Sequence, residues 1–288
     1  MFAIIGTLVV LGSVLGGFMM GGSSLLMLWH PLEIVVICGA ALGAFMISNP
    51  LKVIKASFSG ALGLVKGARY GRKEYIQLLK LVYDILVMAR KDGVLAIERH
   101  IEDPSKSDIF KKYPFILADH HMMEFITDCL RLISGGNLDP HELESLLEYE
   151  LETHHKETAE PSHAVQKVAD ALPGFGIVAA VLGIVSTMAA IEGASTAEIG
   201  HKVGSALVGT FLGVFLAYGI AGPLSVRLKS IVDEEALFYH VIRYILVAHL
   251  HGNAAQISVE IGRGSVPSEA QPTFQELEEA INNIPKVE

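Results

Sequence analysis

Long uncharged apolar runs alternate along the chain with stretches in which hydrophobic residues recur every three or four positions. The uncharged runs fall at about 2–20, 32–48, 171–191 and 203–226. Each approaches the roughly 20 residues that carry a helix across the hydrocarbon layer of a membrane. The first basic residue is Lys52, the only acid before it is Glu33, and between 171 and 226 the only charged side chains are Glu192, Glu198 and Lys202. Four transmembrane helices are predicted. The first run has no basic stretch before it and no small-residue cleavage site after it, so it reads as a retained span rather than a signal peptide.

The interval 49–170 has the other texture. Tyr75, Leu78, Leu79, Val82, Ile85, Leu86 and Ala89 fall at i, i+3, i+4 and i+7, which marks one face of an amphipathic helix. That helix should stop at Asp92-Gly93. A second, over about 120–133, should stop at Gly135-Gly136. A third should open at Asp139-Pro140, an N-cap followed by proline at the first helical position, and run to about 157. The segment 236–250 is amphipathic and carries His240, Arg243 and His249, so it reads as a separate cytoplasmic helix and not a fifth span. From Ser265 the polar, acidic sequence predicts a mobile tail. The expected fold is all-α and polytopic. Its parts are spans one and two in 1–48, a large helical cytoplasmic loop in 49–170, spans three and four in 171–226, and a C-terminal helix and tail in 227–288.

Charge orients these parts. Of the 22 Lys and Arg, 16 lie between Lys52 and Lys167, whereas the short connections 21–31 and 192–202 hold only Lys202. Basic residues are retained on the cytoplasmic side, so both termini and the loop are expected inside the cell. Only 18% of the 288 residues are charged and the net charge is −9, with no basic patch to attract nucleic acid. Cys38 and Cys129 belong to different environments and no C-x-x-C occurs, which argues against a disulfide or a redox site. Gly174-x-Gly176-x-x-Ala179 matches a dinucleotide fingerprint by letter, but it lacks the preceding strand that fingerprint needs. The pairs His120-His121 and His154-His155 are read as solvated surface histidines rather than metal ligands. No arrangement of nucleophile and base suggests an enzyme.

The spans themselves are rich in small residues. Ser205, Gly209, Gly213, Ala217 and Ala221 recur at four-residue steps, and Gly176, Ala180, Gly183 and Thr187 nearly so. Small residues let helices approach closely in lipid, where packing drives association. Two uses stay open at this level: packing the bundle itself, and presenting a surface to helices of other chains. Thr210 lies one step round from the stripe, and a threonine in a span often bonds back to its own helix. Pro173 is expected in the first turn of span three, and Pro223 near the inner end of span four, where it can kink the helix. No Asp, Glu, Lys or Arg lies in the middle of any span, although an ion pathway normally needs an ionisable group there.

Four spans with a large second loop, together with "DALPGFGIVAAVLGIVSTM", "GTFLGVFLAYGIAGPL" and "VMARKDGVLAIE", resemble the MotA family of flagellar-motor stator subunits over about residues 1–260. The resemblance implies a subunit of the bacterial inner membrane that forms an ion-conducting complex with MotB and turns ion flow into torque. MotB would supply the ion-binding aspartate and the peptidoglycan anchor. Copies of the chain would form a ring, expected to be a pentamer, around a MotB dimer. Arg90 and Glu98 would contact the rotor protein FliG. Pro173 and Pro223 would couple ion passage to movement, with Thr210 and Thr187 by the ion path. Gly176, Ala180, Gly183, Gly209, Gly213 and Ala217 would pack the helices. No cofactor or metal is expected, and H⁺ is preferred over Na⁺ as the ion. The alternatives are a self-sufficient ion channel or transporter, or an energiser of outer-membrane processes like ExbB and TolQ, which have three spans and a different loop order.

Overall fold

A computed structural model describes residues 2–64, 70–93, 95–136, 139–189 and 191–282, with side chains from Ile4 onward. In chain order the helices begin with α1 (Phe2–Met20), α2 (Pro31–Ser48), α3 (Leu51–Gly63), α4 (Arg72–Asp92) and α5 (Leu95–Glu102). They continue with α6 (Pro114–Leu117), α7 (His120–Ser134) and α8 (Pro140–Ala189). Next come α9 (Thr196–Leu216), a π-helical segment at Ala217–Ala221, and α10 (Gly222–Leu250). The last are α11 (Ala255–Gly264) and α12 (Phe274–Asn282), and no strand occurs among the described residues. The chain divides into two compact units, one of Met1–Gly67 with Thr158–Ile231, the other of Ala68–Glu157 with Val232–Glu288.

The first unit holds the apolar runs. Three helical stretches that lie wholly or partly in it, Pro31–Ser48, Pro140–Ala189 and Thr196–Leu250, are long and apolar enough to cross a membrane, and the apolar helix Ile4–Met20 is shorter. α2 begins with Pro31 in its first turn, where the missing N–H costs nothing. α9 begins at Thr196, two turns before the predicted start of span four. Ser195 Oγ accepts from the Glu198 N–H at 3.3 Å, and the Glu198 carboxylate accepts from the Ser195 N–H at 2.8 Å. That capping box holds a polar first turn which hydropathy alone leaves outside the span.

Two expected boundaries are absent. The third loop helix and span three are one 50-residue helix, α8, with Pro161 and Pro173 inside it. Pro173 is therefore not a first-turn residue. It removes an internal hydrogen bond from a continuing helix, which weakens and bends it locally. Span four likewise continues through the π segment into α10, so 236–250 is not a separate helix. The π register immediately precedes Pro223 and accommodates its ring and missing donor by widening the turn.

The second unit is a soluble-type bundle. α4 buries Tyr75, Leu78, Leu79, Val82, Ile85 and Leu86 against α5, α7, the first turns of α8, and α10. Each such side chain stabilises the fold by roughly 1.5–3 kcal/mol on burial. Gly93, at φ +84°, closes α4, and Asp119 caps α7 by accepting from the Met122 N–H at 3.2 Å. Phe238 stacks on Tyr70 at 4.2 Å between ring centres. Against the expectation of a mobile tail, the described residues beyond Ser265 include a further helix. α12 packs on α4, buries Leu277, and its Glu276 meets Arg72 at 3.5 Å. A polar stretch with one well-spaced leucine is enough to dock a helix. Residues 283–288 lie outside the described residues.

Candidate functional site

The membrane half of α8 and helix α9 touch backbone to backbone. A Cβ added at Gly213 would lie 2.7 Å from the Leu172 carbonyl oxygen and 2.8 Å from the Gly176 Cα. One added at Gly176 would lie 3.0 Å from the Gly209 carbonyl oxygen and 3.4 Å from the Thr210 Cα. Gly183 faces Ala206, and Gly209 faces Ala179 and Ala180. Ala217 is fully buried in the same unit. The stripe on α9 thus faces α8 and α2, which places most of the small residues in packing within this chain. The opposite faces, including Val181, Val185, Leu207, Val214 and Tyr218, remain exposed. That second face is available to lipid or to other helices.

The two threonines differ. Thr187 is 1% exposed and donates to the Gly183 carbonyl at 2.7 Å, so its proton is committed to its own helix. Thr210 is half-buried beside Gly176. Pro173 is half-buried one residue beyond Leu172, whose carbonyl meets Gly213, and Pro223 is exposed just past the π segment.

A polar cluster that sequence reasoning missed sits at one end of this seam. Ser205 on α9 donates to the Glu33 carboxylate in the first turn of α2 and lies 3.0 Å from His30 Nδ1. His30 Nε2 meets the Met27 carbonyl at 3.1 Å, and its Nδ1 lies 3.9 Å from the other Glu33 oxygen. The His201 ring stands 6.2 Å from that of His30, and the cluster opens on a cavity of about 320 Å³ shared with Gly183, Ser186 and Lys202. The available signal was Glu33 itself, a lone carboxylate on an otherwise uncharged span.

In the second unit Arg90 is exposed in the last turn of α4 and Glu98 is exposed on α5. The Arg90 charge helps to lower the pKa of His249 in the same unit, and both exposed side chains can reach another molecule. Of the histidine pairs, His120 and His121 are exposed as expected, whereas His154 and His155 are half-buried. The His121 and His154 rings approach to 6.4 Å, and His154 lies 5.1 Å from the Tyr239 ring. Burial, reinforced by the His121 charge, lowers the His154 pKa. The pairs sit on different helices, α7 and α8, and helix packing across the unit joins them. No group of three or more His, Cys, Asp or Glu among the described residues could hold a metal ion.

A helical membrane protein whose two seam helices carry no Asp, Glu, Lys or Arg within 171–191 or 203–226, with a single carboxylate, Glu33, at the seam's end, defines a class. The model of the MotA/TolQ/ExbB proton channel family matches residues 118–240, and that of motility protein A, N-terminal, matches residues 4–93. Motility protein A of Salmonella typhimurium is 41% identical over 284 residues, covering 99% of this chain and 96% of that protein. Motility protein A of Escherichia coli is 40% identical with the same coverage, and chemotaxis protein LafT of Vibrio parahaemolyticus is 40% identical over 95% of this chain and 96% of that protein. The chain belongs to the motility protein A family. It is a multi-pass inner-membrane subunit of the flagellar stator, not an enzyme. The solved C. jejuni MotAB shares the fold at a TM-score of 0.74 with 18% identity, covering 94% of this chain and 98% of that one. The flagellar MotAB stator complex of Bacillus subtilis does so at 0.68 with 22% identity, covering 89% and 92%.

Proposed function

We propose that this chain walls an ion path whose titrating carboxylate belongs to a partner of the MotB kind. The observation that carries the reading is the seam: α8 and α9 close on each other through Gly176, Gly209 and Gly213 with no charged residue in 171–191 or 203–226. Such a wall can hold a foreign carboxylate but cannot replace it. An ion that neutralises the carboxylate removes the several-kcal/mol cost of keeping a charge out of water, and the helices repack. Pro173 inside α8 and the π segment before Pro223 are the weakened turns where repacking bends the helices. Arg90 and Glu98, both exposed, then push on charged groups of a rotor protein of the FliG kind. Both termini and the second unit face the cytoplasm, as the distribution of basic residues supports. Copies of the chain form a ring around the partner, a pentamer on this reading. The ion is H⁺: a bare sodium ion needs a cage of oxygens, and hydroxyls along this seam are few.

Cysteine crosslinking tests the arrangement. In a background lacking Cys38 and Cys129, a cysteine replacing Thr210 should form a disulfide with one placed beside the carboxylate of the partner's membrane helix. A cysteine at Leu62 on α3 should not. Crosslinking from Leu62 and none from Thr210 would remove the seam from the ion path.

A further inference from the structure

An apolar cavity of about 310 Å³ opens in the first unit between α2, α3, α8 and the π segment, lined by Cys38, Leu42, Phe45, Phe58, Leu172 and Leu224 among others. The hydroxyl in its wall, Ser57, donates to the Val53 carbonyl at 2.8 Å and also lies 3.4 Å from the Pro161 carbonyl on α8. Nothing in the wall would recognise a polar molecule. Along α2 the lining runs from Cys38 to Phe45, and the helix ends at Ser48. Ten residues of helix span about 15 Å, which is half of a hydrocarbon layer of about 30 Å. The stretch from Cys38 to the end of α2 therefore fits within one leaflet, and the lined part, Cys38–Phe45, covers about 11 Å of it.

The α3 and α10 sides of the cavity's rim carry basic residues. α3 leaves Leu51, Phe58 and Leu62 exposed along one side, with Lys52 and Lys55 beside them. Gly60 packs against Leu228 so closely that an added Cβ would lie 2.9 Å from the leucine Cδ2, which brings α10 with Arg227 and Lys229 alongside. The segments 49–67 and 222–231 contain no Asp or Glu. An exposed apolar face with basic flanks is the pattern of a helix lying in the membrane interface, and basic pockets beside membrane helices bind anionic headgroups.

We propose that this cavity is a binding site for an anionic phospholipid, one acyl chain between α2 and α3 and the phosphate at Lys55 and Lys229. A second copy of the chain would have to bring carboxylates to this rim, whereas lipid phosphate is present there at all times. The site rests on the multi-pass reading above, and only the naming of the leaflet as cytoplasmic rests on the proposed orientation.

The test uses the full chain co-purified with its partner, placed in nanodiscs of phosphatidylglycerol mixed with phosphatidylcholine, then extracted and analysed by native mass spectrometry. Phosphatidylglycerol should be retained over phosphatidylcholine. One lysine near an anionic lipid surface is worth about fivefold in affinity, so Lys55→Gln with Lys229→Gln should lower retention roughly 25-fold. Lys55→Arg with Lys229→Arg should retain it. Ala61→Trp, which fills the cavity while leaving both lysines, should also lose the lipid. A phosphatidylglycerol with a photoreactive acyl chain should label peptides containing residues 38–45 and 57–61. Equal retention of the two lipids, or retention unchanged by Ala61→Trp, would overturn the proposal. So would a Phe58→Cys variant that crosslinks to a second copy while the photolipid labels nothing in the cavity. Failure here leaves the seam untouched, because the Thr210 crosslink is read independently.

Discussion

Replacing Gly213 with alanine puts one methyl group where the structure has no room for it. The added carbon would meet the Leu172 carbonyl oxygen at 2.7 Å and the Gly176 Cα at 2.8 Å. Both are backbone atoms, so no side-chain rotation relieves the clash. Restoring an ordinary contact of 3.4 Å requires α8 and α9 to part by about 0.7 Å. Overpacking of this kind costs about 1–3 kcal/mol, and the better helix propensity of alanine returns up to about 1 kcal/mol. The net loss is about 1–2 kcal/mol, a fall of a few degrees in the melting temperature of the purified complex. Gly174→Ala and Gly204→Ala are the controls, because nothing lies within 4 Å of an added carbon at either position. They should be neutral or slightly stabilising, and cells carrying them should swim normally. Gly213→Ala should melt earlier and lower swimming speed at normal membrane levels. If it melts and swims like Gly204→Ala, the close seam does not exist in the membrane.

Thr187→Val should have little effect on speed, since that hydroxyl only bonds back to Gly183, while Thr210→Val should slow swimming and ion flux at unchanged membrane levels; equal behaviour of the two would deny Thr210 a place by the path. Arg90→Glu and Glu98→Lys should each abolish or severely slow swimming without altering membrane level, because an exposed charge is worth at most about 1 kcal/mol to folding but a reversed sign repels a partner it had attracted. Normal swimming in both would return them to ordinary solvated charges. Burial lowers the His154 pKa, so the unfolded chain binds more protons below the ordinary value of 6.5 and stability should fall as pH drops through that value towards the lowered one. Melting scans of wild type and His154→Gln across that range should diverge at the acid end; parallel curves would show that His154 is solvated.

The sequence made the apolar spans, the buried face of α4 and the stops at Gly93 and Gly135-Gly136 legible, because each rests on local periodicity or on a glycine, Gly93 or Gly136, at a positive φ. It misplaced what depends on packing between distant segments. Pro173 reads as a helix start, yet α8 runs through it, since neighbouring helices hold the turn that the proline weakens. The polar first turn of α9 hid the true start of span four behind Glu198 and Lys202. α3 and α11 went unread: α3 is short and exposes apolar residues that look like loop, and α11 docks because Gly262 lets it reach Ile245. The stripe of small residues was visible in full, but which helix it faced was not. Glu33 was noticed as an isolated acid, and only the fold brings it to Ser205 and His30.

The central claim is that this chain supplies the wall and not the carboxylate. Proton flux into acid-loaded or voltage-clamped vesicles measures that claim most directly, with the chain reconstituted alone, with a partner of the MotB kind, and with the same partner after its membrane aspartate is changed to asparagine. The account predicts flux only in the second case, and slower flux there for Thr210→Val. Comparable flux from this chain alone, or from the complex with the altered partner, would contradict it and make the chain a channel in its own right.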